Sequence, residues 1–208
     1  MKIVFIGPPA SGKGTQAEML AKKMNLKLIS TGNVFRQEIK NQTELGLKVA
    51  EIINSGNLVS DEMTNQIIDQ EFEKLKDDFI LDGYPRNFDQ AKYLDEKVKI
   101  DIAFEVWISE KESMRRLSGR RVCQCGQTYH LIFNPPKKEE VCNFCNAKLF
   151  QREDDTEEKI KYRFRIYQQK ISHLIDFYQK KGILIKIDGE KTIPEVFEEI
   201  LNKLKDKI

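Results

Sequence analysis

The sequence is poor in the features that mark membrane proteins, exported proteins and dedicated nucleic-acid binders. It has 208 residues and a net charge of only +2, because 35 basic residues nearly balance 33 acidic ones. This balance gives no electrostatic case for a nucleic-acid binder. The first apolar run ends at Gly7, too early for a signal-peptide core or a membrane span. We therefore expect a cytoplasmic protein whose partners include neither a membrane nor a nucleic acid.

Cysteine is scarce, and all of it lies in one short stretch: Cys123, Cys125, Cys142 and Cys145. Without an export signal we expect a reducing compartment, where a metal site is favoured over disulfides. Two close thiol pairs, separated by sixteen residues, fit a structural zinc ion bound tetrahedrally by four sulfurs. The first pair is C-x-C, one residue shorter than the usual C-x2-C. Free thiols or two disulfides are the alternatives.

What the chain does have, near its start, is a glycine-rich loop between an apolar run at 3–6 and a helix pattern at 16–24. The spacing Gly7-x4-Gly12-Lys13 fits a phosphate-binding loop, in which backbone N–H groups, a helix N-terminus and a lysine bind nucleotide phosphates. The loop departs from the general pattern at Gly14, where Ser or Thr is usual, and Thr15 follows. A mere strand-to-helix turn of small residues is the alternative.

A second candidate segment begins where an apolar run at 79–82 ends in Asp82. In P-loop proteins an aspartate at the end of a strand faces the metal and the phosphates. Arg86 follows four residues later, after the stiffening Pro85, and its planar fork suits a phosphate. A strand end with a solubilising Asp and Arg is the alternative, which the nearby phosphate-binding loop disfavours.

Further short apolar runs at 27–30, 102–108 and 183–187 read as strands. Helices are predicted at 34–40, 44–54, 61–76 and 192–205. A further helix is predicted to begin at residue 110, and another to end at residue 181. Caps are predicted at Thr31, Ser60 and Ser109. A cap at Gly56 is predicted to end the second helix. The two small helices between residues 31 and 54 read as a mobile flap outside the core.

Four segments of the chain resemble those of adenylate kinases in order and separation: 7–16, 30–32, 82–86 and 90–91. Gly14 after the lysine is usual in that family, so the departure from the general P-loop pattern becomes support. Two positions differ from the family pattern, since Ala10 stands where Gly is usual and Asn33 where Asp is usual. The resemblance covers essentially the whole chain.

This resemblance implies an α/β fold, a P-loop three-layer sandwich with a parallel five-stranded sheet, plus a small helical insert that binds the nucleoside monophosphate (NMP) and a zinc-binding β lid. The core would comprise 1–29, 60–118 and 157–208, the NMP-binding insert 30–59 and the lid 119–156. The implied activity is reversible transfer of the terminal phosphoryl group from MgATP to AMP, giving two ADP. Mg²⁺ with ATP, a structural Zn²⁺ and a monomeric state are implied as well.

The resemblance also carries over site residues. The ATP site would comprise Ala10, Ser11, Gly12, Lys13, Gly14, Thr15, Arg116, Arg120, Thr128, Tyr129 and Lys191. The AMP site would comprise Thr31, Arg36, Asn57, Leu58, Val59, Gly83, Tyr84, Pro85, Arg86, Gln90, Arg152 and Arg163. The catalytic groups would be Lys13, Asp82, Arg86, Arg120, Arg152 and Arg163.

By the same resemblance, Arg36 and Arg86 hold the AMP phosphate and Gln90 reads the adenine edge. On the other side, Arg116 packs on the ATP adenine, Arg120 contacts the ATP phosphates and Lys191 lies beside the base. Arg152 and Arg163 reach the transferring phosphoryl group. In the chemistry of phosphoryl transfer, Asp82 would act on Mg²⁺ through water, and Thr15 is a further candidate for the metal.

Several alternatives stay open. The chain could be a kinase that prefers UMP or CMP, or one that uses GTP. From another class, the zinc segment and the arginines between 115 and 121 could mark a nucleic-acid-binding ATPase. Asp154 and Asp155 fit either lid-closing contacts or favourable placement near a helix N-terminus.

Overall fold

A computed structural model describes residues 1–54, 59–75, 78–153, 155–205 and 207. The strands are β1 (Lys2–Ile6), β2 (Lys27–Ser30), β3 (Phe79–Asp82), β4 (Ile102–Trp107), β5 (Arg120–Val122), β6 (Thr128–His130) and β7 (Leu184–Asp188). Five of them form a parallel sheet in the order β2-β3-β1-β4-β7, and β5 and β6 form a separate antiparallel pair. The predicted α/β fold with a five-stranded parallel sheet is confirmed.

Eight helices occur in the described ranges: α1 (Lys13–Met24), α2 (Thr31–Lys40), α3 (Glu44–Asn54), α4 (Asp61–Glu73), α5 (Phe88–Lys97), α6 (Glu110–Ser118), α7 (Glu157–Lys180) and α8 (Ile193–Lys205). One face of the sheet packs against α1 and α8, and the other against α4, α5 and α7. No helix among the described residues is both long enough and apolar enough to cross a membrane.

The central strand β1 is buried from both sides because helices cover both faces of the sheet. Ile3 and Phe5 point toward α1 and α8, whereas Val4 and Ile6 point toward α4, α5 and α7. The strand therefore reads as an uninterrupted apolar run, as expected for a covered parallel sheet. Its carboxyl end leads directly into the glycine-rich loop.

Two segments lie outside this core and carry apolar clusters of their own. Phe35, Val49 and Ile67 pack together where α2 and α3 meet α4. Between α6 and α7, the β5–β6 pair packs Tyr129 and Leu149 against two of the cysteines. Each cluster gives its segment a local reason to fold, while the domain boundaries stay a prediction.

Several boundaries differ from the sequence predictions. Thr31 is the first residue of α2 rather than its cap, which is Ser30. α4 ends at Glu73 rather than 76, and α5 was not predicted. The predicted caps at Ser60 and Ser109 are confirmed, since each hydroxyl accepts a hydrogen bond from a backbone N–H three residues on. Gly56, Asn57, Leu58 and Asp154 lie outside the described residues.

Candidate active site

The glycine-rich loop begins at Gly7 and ends where Lys13 opens α1. A side chain at Gly7 would place its Cβ 2.3 Å from the carbonyl oxygen of Val106, so only glycine fits against β4. Gly12 caps α1 with a left-handed φ of 88° and no side-chain hydrogen bond. The first N–H groups of α1 are thus left for an anion.

Ala10 adopts a left-handed φ of 58°, a conformation that costs an alanine more than a glycine. The loop is braced from α6, where the Ser113 hydroxyl donates a hydrogen bond of 2.7 Å to the Pro9 carbonyl. Ser11 is buried, and its Oγ accepts from the Lys13 N–H at 3.4 Å.

Asp82 lies against the start of α1, and this contact explains Gly14. A Cβ at Gly14 would sit 3.1 Å from Asp82 Oδ2, a tight contact that a serine or threonine would have to relieve. Oδ2 accepts a hydrogen bond from Ser30 Oγ at 3.1 Å. Oδ1 is buried and has no hydrogen-bond partner among the described residues. An orphaned carboxylate oxygen beside the loop fits water-mediated contact with a Mg²⁺ that is bound to ATP.

Lys13 is where the predicted catalytic groups converge. Its ammonium donates a hydrogen bond of 3.2 Å to the Pro8 carbonyl. Burial lowers the pKa of Lys13 to about 8, Asp82 opposes this shift, and the charges of three arginines add to it. These arginines come from three separate elements: Arg86, Arg163 and Arg120.

The residues after β3 form a cluster with the start of α2. The buried Thr31 hydroxyl donates to the Gly83 carbonyl at 2.9 Å, and Arg86 Nε donates to the same oxygen at 2.8 Å. Gly83 has a φ of 77°, and a Cβ there would meet the Thr31 hydroxyl at 2.9 Å. The Tyr84–Pro85 peptide bond is cis. This packing holds the Arg86 side chain near Lys13.

Gln90 is buried, and hydrogen bonds at both its Oε1 and its Nε2 determine the orientation of its amide. Its Oε1 accepts from the Arg86 N–H at 2.7 Å, and its Nε2 donates to Asp61 Oδ1 at 2.7 Å. Asn87 Nδ2 donates to both oxygens of Asp61, at 2.9 and 2.8 Å. Each polar atom of the Gln90 amide keeps one further hydrogen-bonding position, so the amide offers one donor and one acceptor.

Other predicted AMP-side residues surround this cluster. Arg36 is exposed and lies over Gly32, and its guanidinium donates to Asn33 Oδ1. Asn33 therefore holds Arg36 and does not cap the helix. Val59 packs in the small cluster with Phe35. The Tyr84 hydroxyl is bonded to Asn65 at 2.6 Å, which ties the segment after β3 to α4.

Arg116 connects three elements on the opposite side of the loop. Its Nη2 donates to the Gly189 carbonyl at 2.8 Å, its Nη1 to the Ser11 carbonyl at 3.5 Å, and its Nε to Glu112 at 2.6 Å. The ring of Phe133 lies 5.8 Å from its guanidinium. A flat cationic group beside an exposed ring suits the stacking of a base. Phe133 was not among the predicted site residues.

Arg120 and Arg163 meet at a buried carboxylate. Asp155 accepts from Arg120 Nε at 2.8 Å, and Arg163 Nη1 lies 3.5 Å from its Oδ1. Asp155 is 3% exposed and precedes the cap of α7, Thr156. Asp155 therefore lies just before the helix rather than in its first turn, and it pairs with two arginines from separate segments.

The remaining predicted residues divide between the cleft rim and the cysteine segment. Thr15 and Thr128 are exposed, and Lys191 pairs with Glu199 at 2.7 Å, two residues after Gly189. Arg152 is half-buried at the end of the cysteine segment. Tyr129, predicted at the ATP site, instead turns its side chain into the cysteine cluster. Side chains alternate along a strand, so β6 presents Thr128 and His130 to the other face.

The four cysteines form one cluster, as predicted. All four Sγ atoms lie within 4.8 Å of one another, with Cys123 and Cys145 at 3.3 Å and Cys125 and Cys142 at 3.6 Å. Sulfurs around a tetrahedral zinc with bonds of about 2.3 Å would lie about 3.8 Å apart, close to these distances. No disulfide links them. The donor set and its spacing fit zinc.

The surroundings of Cys142 favour a thiolate. Burial opposes ionisation, but hydrogen bonds from the Tyr129 hydroxyl and from backbone N–H groups lower the pKa of Cys142 to about 6. His130 lies nearby but takes no place in the cluster. Its Nδ1 accepts from the N–H groups of Ile132 and Phe133, at 3.0 and 3.2 Å.

Comparison with known proteins decides the family. The family model described as adenylate kinase matches residues 5–183. The chain belongs to the adenylate kinase family. It is 45% identical to an adenylate kinase of Methanosarcina barkeri, over 99% of both chains. It is 44% identical to one of Methanothrix thermoacetophila, over 96% of both, and 43% identical to one of Pyrococcus horikoshii, over 96% of this chain and 94% of the relative.

Family membership confirms the resemblance drawn from the four motif segments. As an adenylate kinase family member, the chain is a nucleoside monophosphate kinase, a phosphotransferase that binds nucleotides.

Proposed function

We propose that the chain catalyses reversible transfer of the terminal phosphoryl group from MgATP to AMP, giving two ADP, and so balances adenine nucleotides. One observation carries the assignment of the reacting centre: the charges of Arg86, Arg120 and Arg163 converge on Lys13 from three separate elements. Phosphoryl transfer requires aligned phosphates and neutralised charge more than a covalent catalyst. A cationic cleft with one carboxylate, Asp82, suits that requirement.

The two nucleotides are proposed to bind on opposite sides of Lys13. ATP would place its phosphates on the loop from Ala10 to Thr15 and on Arg120, with its base between Arg116 and the 189–191 turn. Thr128 and Lys191 would border that nucleotide. Tyr129 is better explained by the cysteine cluster that it packs into.

AMP would bind at the carboxyl ends of β2 and β3, with Gln90 reading the base through its remaining donor and acceptor. Its phosphate would lie between Arg36 and Arg86, and Arg152 and Arg163 would reach the group in transfer. The remaining residues proposed to line this site are Thr31, Asn57, Leu58, Val59, Gly83, Tyr84 and Pro85.

Mg²⁺ would enter with ATP, and its chemistry is to bridge phosphate oxygens and offset their charge. Asp82 suits a water-mediated contact because its Oδ1 is buried without a protein partner in the described ranges. A structural Zn²⁺ would be bound by Cys123, Cys125, Cys142 and Cys145. With four protein ligands such a site keeps no open position for catalysis.

The proposed organisation follows from these assignments. The core comprises 1–29, 60–118 and 157–208, the NMP-binding insert 30–59 and the zinc lid 119–156. We propose a cytoplasmic monomer that acts on ATP, AMP and ADP and has no nucleic-acid or membrane partner. Thiols gathered for a metal suit a reducing compartment, which supports that location.

A coupled assay tests this function directly. MgATP is offered with AMP, UMP or CMP, with and without excess chelator, and GTP is tried as the alternative donor. We expect ADP formation from AMP, dependent on Mg²⁺. Preference for UMP or CMP would assign a pyrimidine nucleotide kinase instead, and activity without Mg²⁺ would contradict the proposed role of the metal.

Lys13→Ala is the matching variant. We expect it to abolish transfer while the unfolding temperature stays close to that of the parent chain, because the Lys13 ammonium makes one hydrogen bond among the described residues, to the Pro8 carbonyl. Lys23→Ala, an exposed lysine in the last turn of the same helix, is the control. Near-normal turnover by Lys13→Ala would overturn the assignment of the reacting centre.

A further inference from the structure

A second cavity lies on the α7 side of the sheet, away from the phosphate-binding loop. It has a volume of about 320 Å³ between β4, the start of α6 and the middle of α7. Its walls include Glu105, Trp107, Glu110, Phe164, Tyr167 and Ile171. None of these residues belongs to the proposed nucleotide sites.

Two of the residues that line this cavity each carry a buried polar atom without a partner among the described residues. Among the described residues, neither Glu105 Oε2 nor the Tyr167 hydroxyl makes a hydrogen bond. Glu105 is only 7% exposed. Burying a carboxylate oxygen and a hydroxyl without partners is costly, so a hydrogen-bond donor brought in beside Glu105 and Tyr167 would relieve part of that cost.

The charges around Glu105 favour a cationic ligand. Burial raises the pKa of Glu105, and the charge of Lys186 opposes that shift. Lys186 is the in-register neighbour on β7, but it is exposed and forms no ion pair with Glu105 in the described part of the chain. Glu110, at the start of α6, adds a second negative charge at the rim.

The apolar walls are aromatic. Phe164 is buried, and Trp107 is 50% exposed, an unusual degree for so large an apolar side chain. Together with Tyr167 and Glu105 they line the same cavity, and the faces of aromatic rings attract ammonium groups. A volume of about 300 Å³ is within the range of small-molecule sites.

We propose that this cavity, the Glu105 pocket (Glu105, Trp107, Phe164, Tyr167), binds a small primary ammonium ligand that carries an apolar or aromatic group. The ammonium donates one hydrogen bond to Glu105 and another to the Tyr167 hydroxyl oxygen. The apolar part packs against Trp107 and Phe164. A neutral ligand of the same shape lacks the charge that Glu105 would neutralise.

Trp107 is the only tryptophan in the chain, so its fluorescence reports directly on the pocket. The full chain, free of nucleotide, is titrated with benzylammonium chloride at constant ionic strength. Benzyl alcohol is the neutral counterpart. We expect a saturable change with benzylammonium and binding of benzyl alcohol weaker by about tenfold or more, the difference expected for a charge-assisted hydrogen bond.

Glu105→Gln keeps the shape of the side chain and removes its charge, and we expect it to lose benzylammonium binding by a similar factor. Tyr167→Phe is a second variant that should also weaken binding. Glu96→Gln, an exposed acid on α5, is the control and should bind as the parent chain does. Thermal unfolding and phosphoryl transfer show that each variant is folded.

Three results would overturn the proposal. They are no saturable change in the parent chain, equal affinity for benzyl alcohol, and unchanged affinity in both Glu105→Gln and Tyr167→Phe. Any of them would leave a cavity that holds water only.

Discussion

Burial and the charges of nearby arginines lower the pKa of Lys13 to about 8, and Asp82 offsets only part of this effect. A neutral lysine relieves repulsion in the free enzyme, whereas ATP phosphates favour the charged form. Binding ATP should therefore take up a proton once the pH exceeds about 8. We expect the dissociation constant of ATP to rise by about tenfold between pH 7 and pH 9. Calorimetric titration in two buffers of different ionisation enthalpy measures both quantities.

The free energy of unfolding changes with pH in the direction opposite to that expected for a lysine that gains an acidic partner on folding. The unfolded lysine binds its proton up to about pH 10.5 and the folded one only to about 8, so stability rises with pH across that window. Lys13→Arg is the control for binding, because an arginine does not deprotonate in this range. A parent chain whose ATP affinity is flat from pH 7 to pH 9 would contradict the prediction.

We propose that Asp61 positions the Gln90 amide, which in turn would read the base of AMP. It accepts from Gln90 Nε2 and so decides which end of the Gln90 amide faces it. Asp61→Asn leaves one oxygen to accept from both Gln90 Nε2 and Asn87 Nδ2 and removes the charge that favours the observed orientation of the Gln90 amide, so we expect the rotated amide to become more populated. We expect the KM for AMP to rise by about tenfold, the weight of a hydrogen bond to a charged group, with kcat and the KM for ATP nearly unchanged.

Base selectivity distinguishes positioning from a merely structural effect. Adenine offers an amino donor next to a ring acceptor, and hypoxanthine offers the reverse, so a rotated amide should reduce the preference for AMP over IMP. Asp89→Asn, an exposed acid in the first turn of α5, should leave that preference intact. Unchanged selectivity in Asp61→Asn would show that Asp61 does not orient Gln90.

Individual residues differ in how far the sequence alone could assign them. The phosphate-binding loop was predictable because its spacing is local. The reason for Gly14 was not, since it depends on Asp82 from a separate strand. Asp61 reads as an ordinary first-turn acid after the Ser60 cap, and nothing in the sequence around it signals its contact with Gln90.

At the scale of elements, the cysteine segment should depend on metal while the sheet does not. The described part of the β5–β6 region has a small apolar cluster of which two members are cysteines, so we expect bound zinc to supply much of its cohesion. We expect about one zinc per chain. Removing it should abolish amide-exchange protection in β5 and β6 and preserve it in β1, β3 and β4.

Cys125→Ser should reduce amide-exchange protection in β5 and β6 as removing zinc does. Gln124→Ser, a change at the exposed neighbouring residue, should not. Metal analysis and hydrogen exchange measure both. A purified chain without zinc whose β5 and β6 amides stay protected would remove zinc from the structural account.

Strands were predictable to within a residue or two because covered parallel strands are short apolar runs. Helix starts were harder. Ser30 and Thr31 are both good cap residues. In the structure the Thr31 hydroxyl donates to the Gly83 carbonyl, and Thr31 is the first residue of α2 while Ser30 is its cap. α5 was missed because only Gln90, Ala91 and Leu94 are buried in its ten residues. The surroundings of Asp155 and Tyr129 depend on tertiary contacts.

At the scale of the whole molecule, the cationic groups are distributed so that no single element completes the site. Arg86 follows β3, Arg120 lies on β5 and Arg163 on α7, and Asp155 neutralises the last two. In this arrangement Arg120 and Arg163 are already occupied. If both arginines stabilise the transition state, as we propose, two phosphate chains have to compete with Asp155 for them.

This requirement predicts a low rate of wasteful ATP hydrolysis. Without an acceptor, water would have to react in a site that lacks part of its charge stabilisation, and one arginine can be worth roughly 10³-fold or more in rate. We expect hydrolysis of MgATP alone to be at least about 10³-fold slower than transfer to AMP. Adenosine, which fills the base site without a phosphate, should not increase it. Phosphate release from ATP alone at a rate within about tenfold of transfer would mean that the arginines are assembled before the acceptor binds.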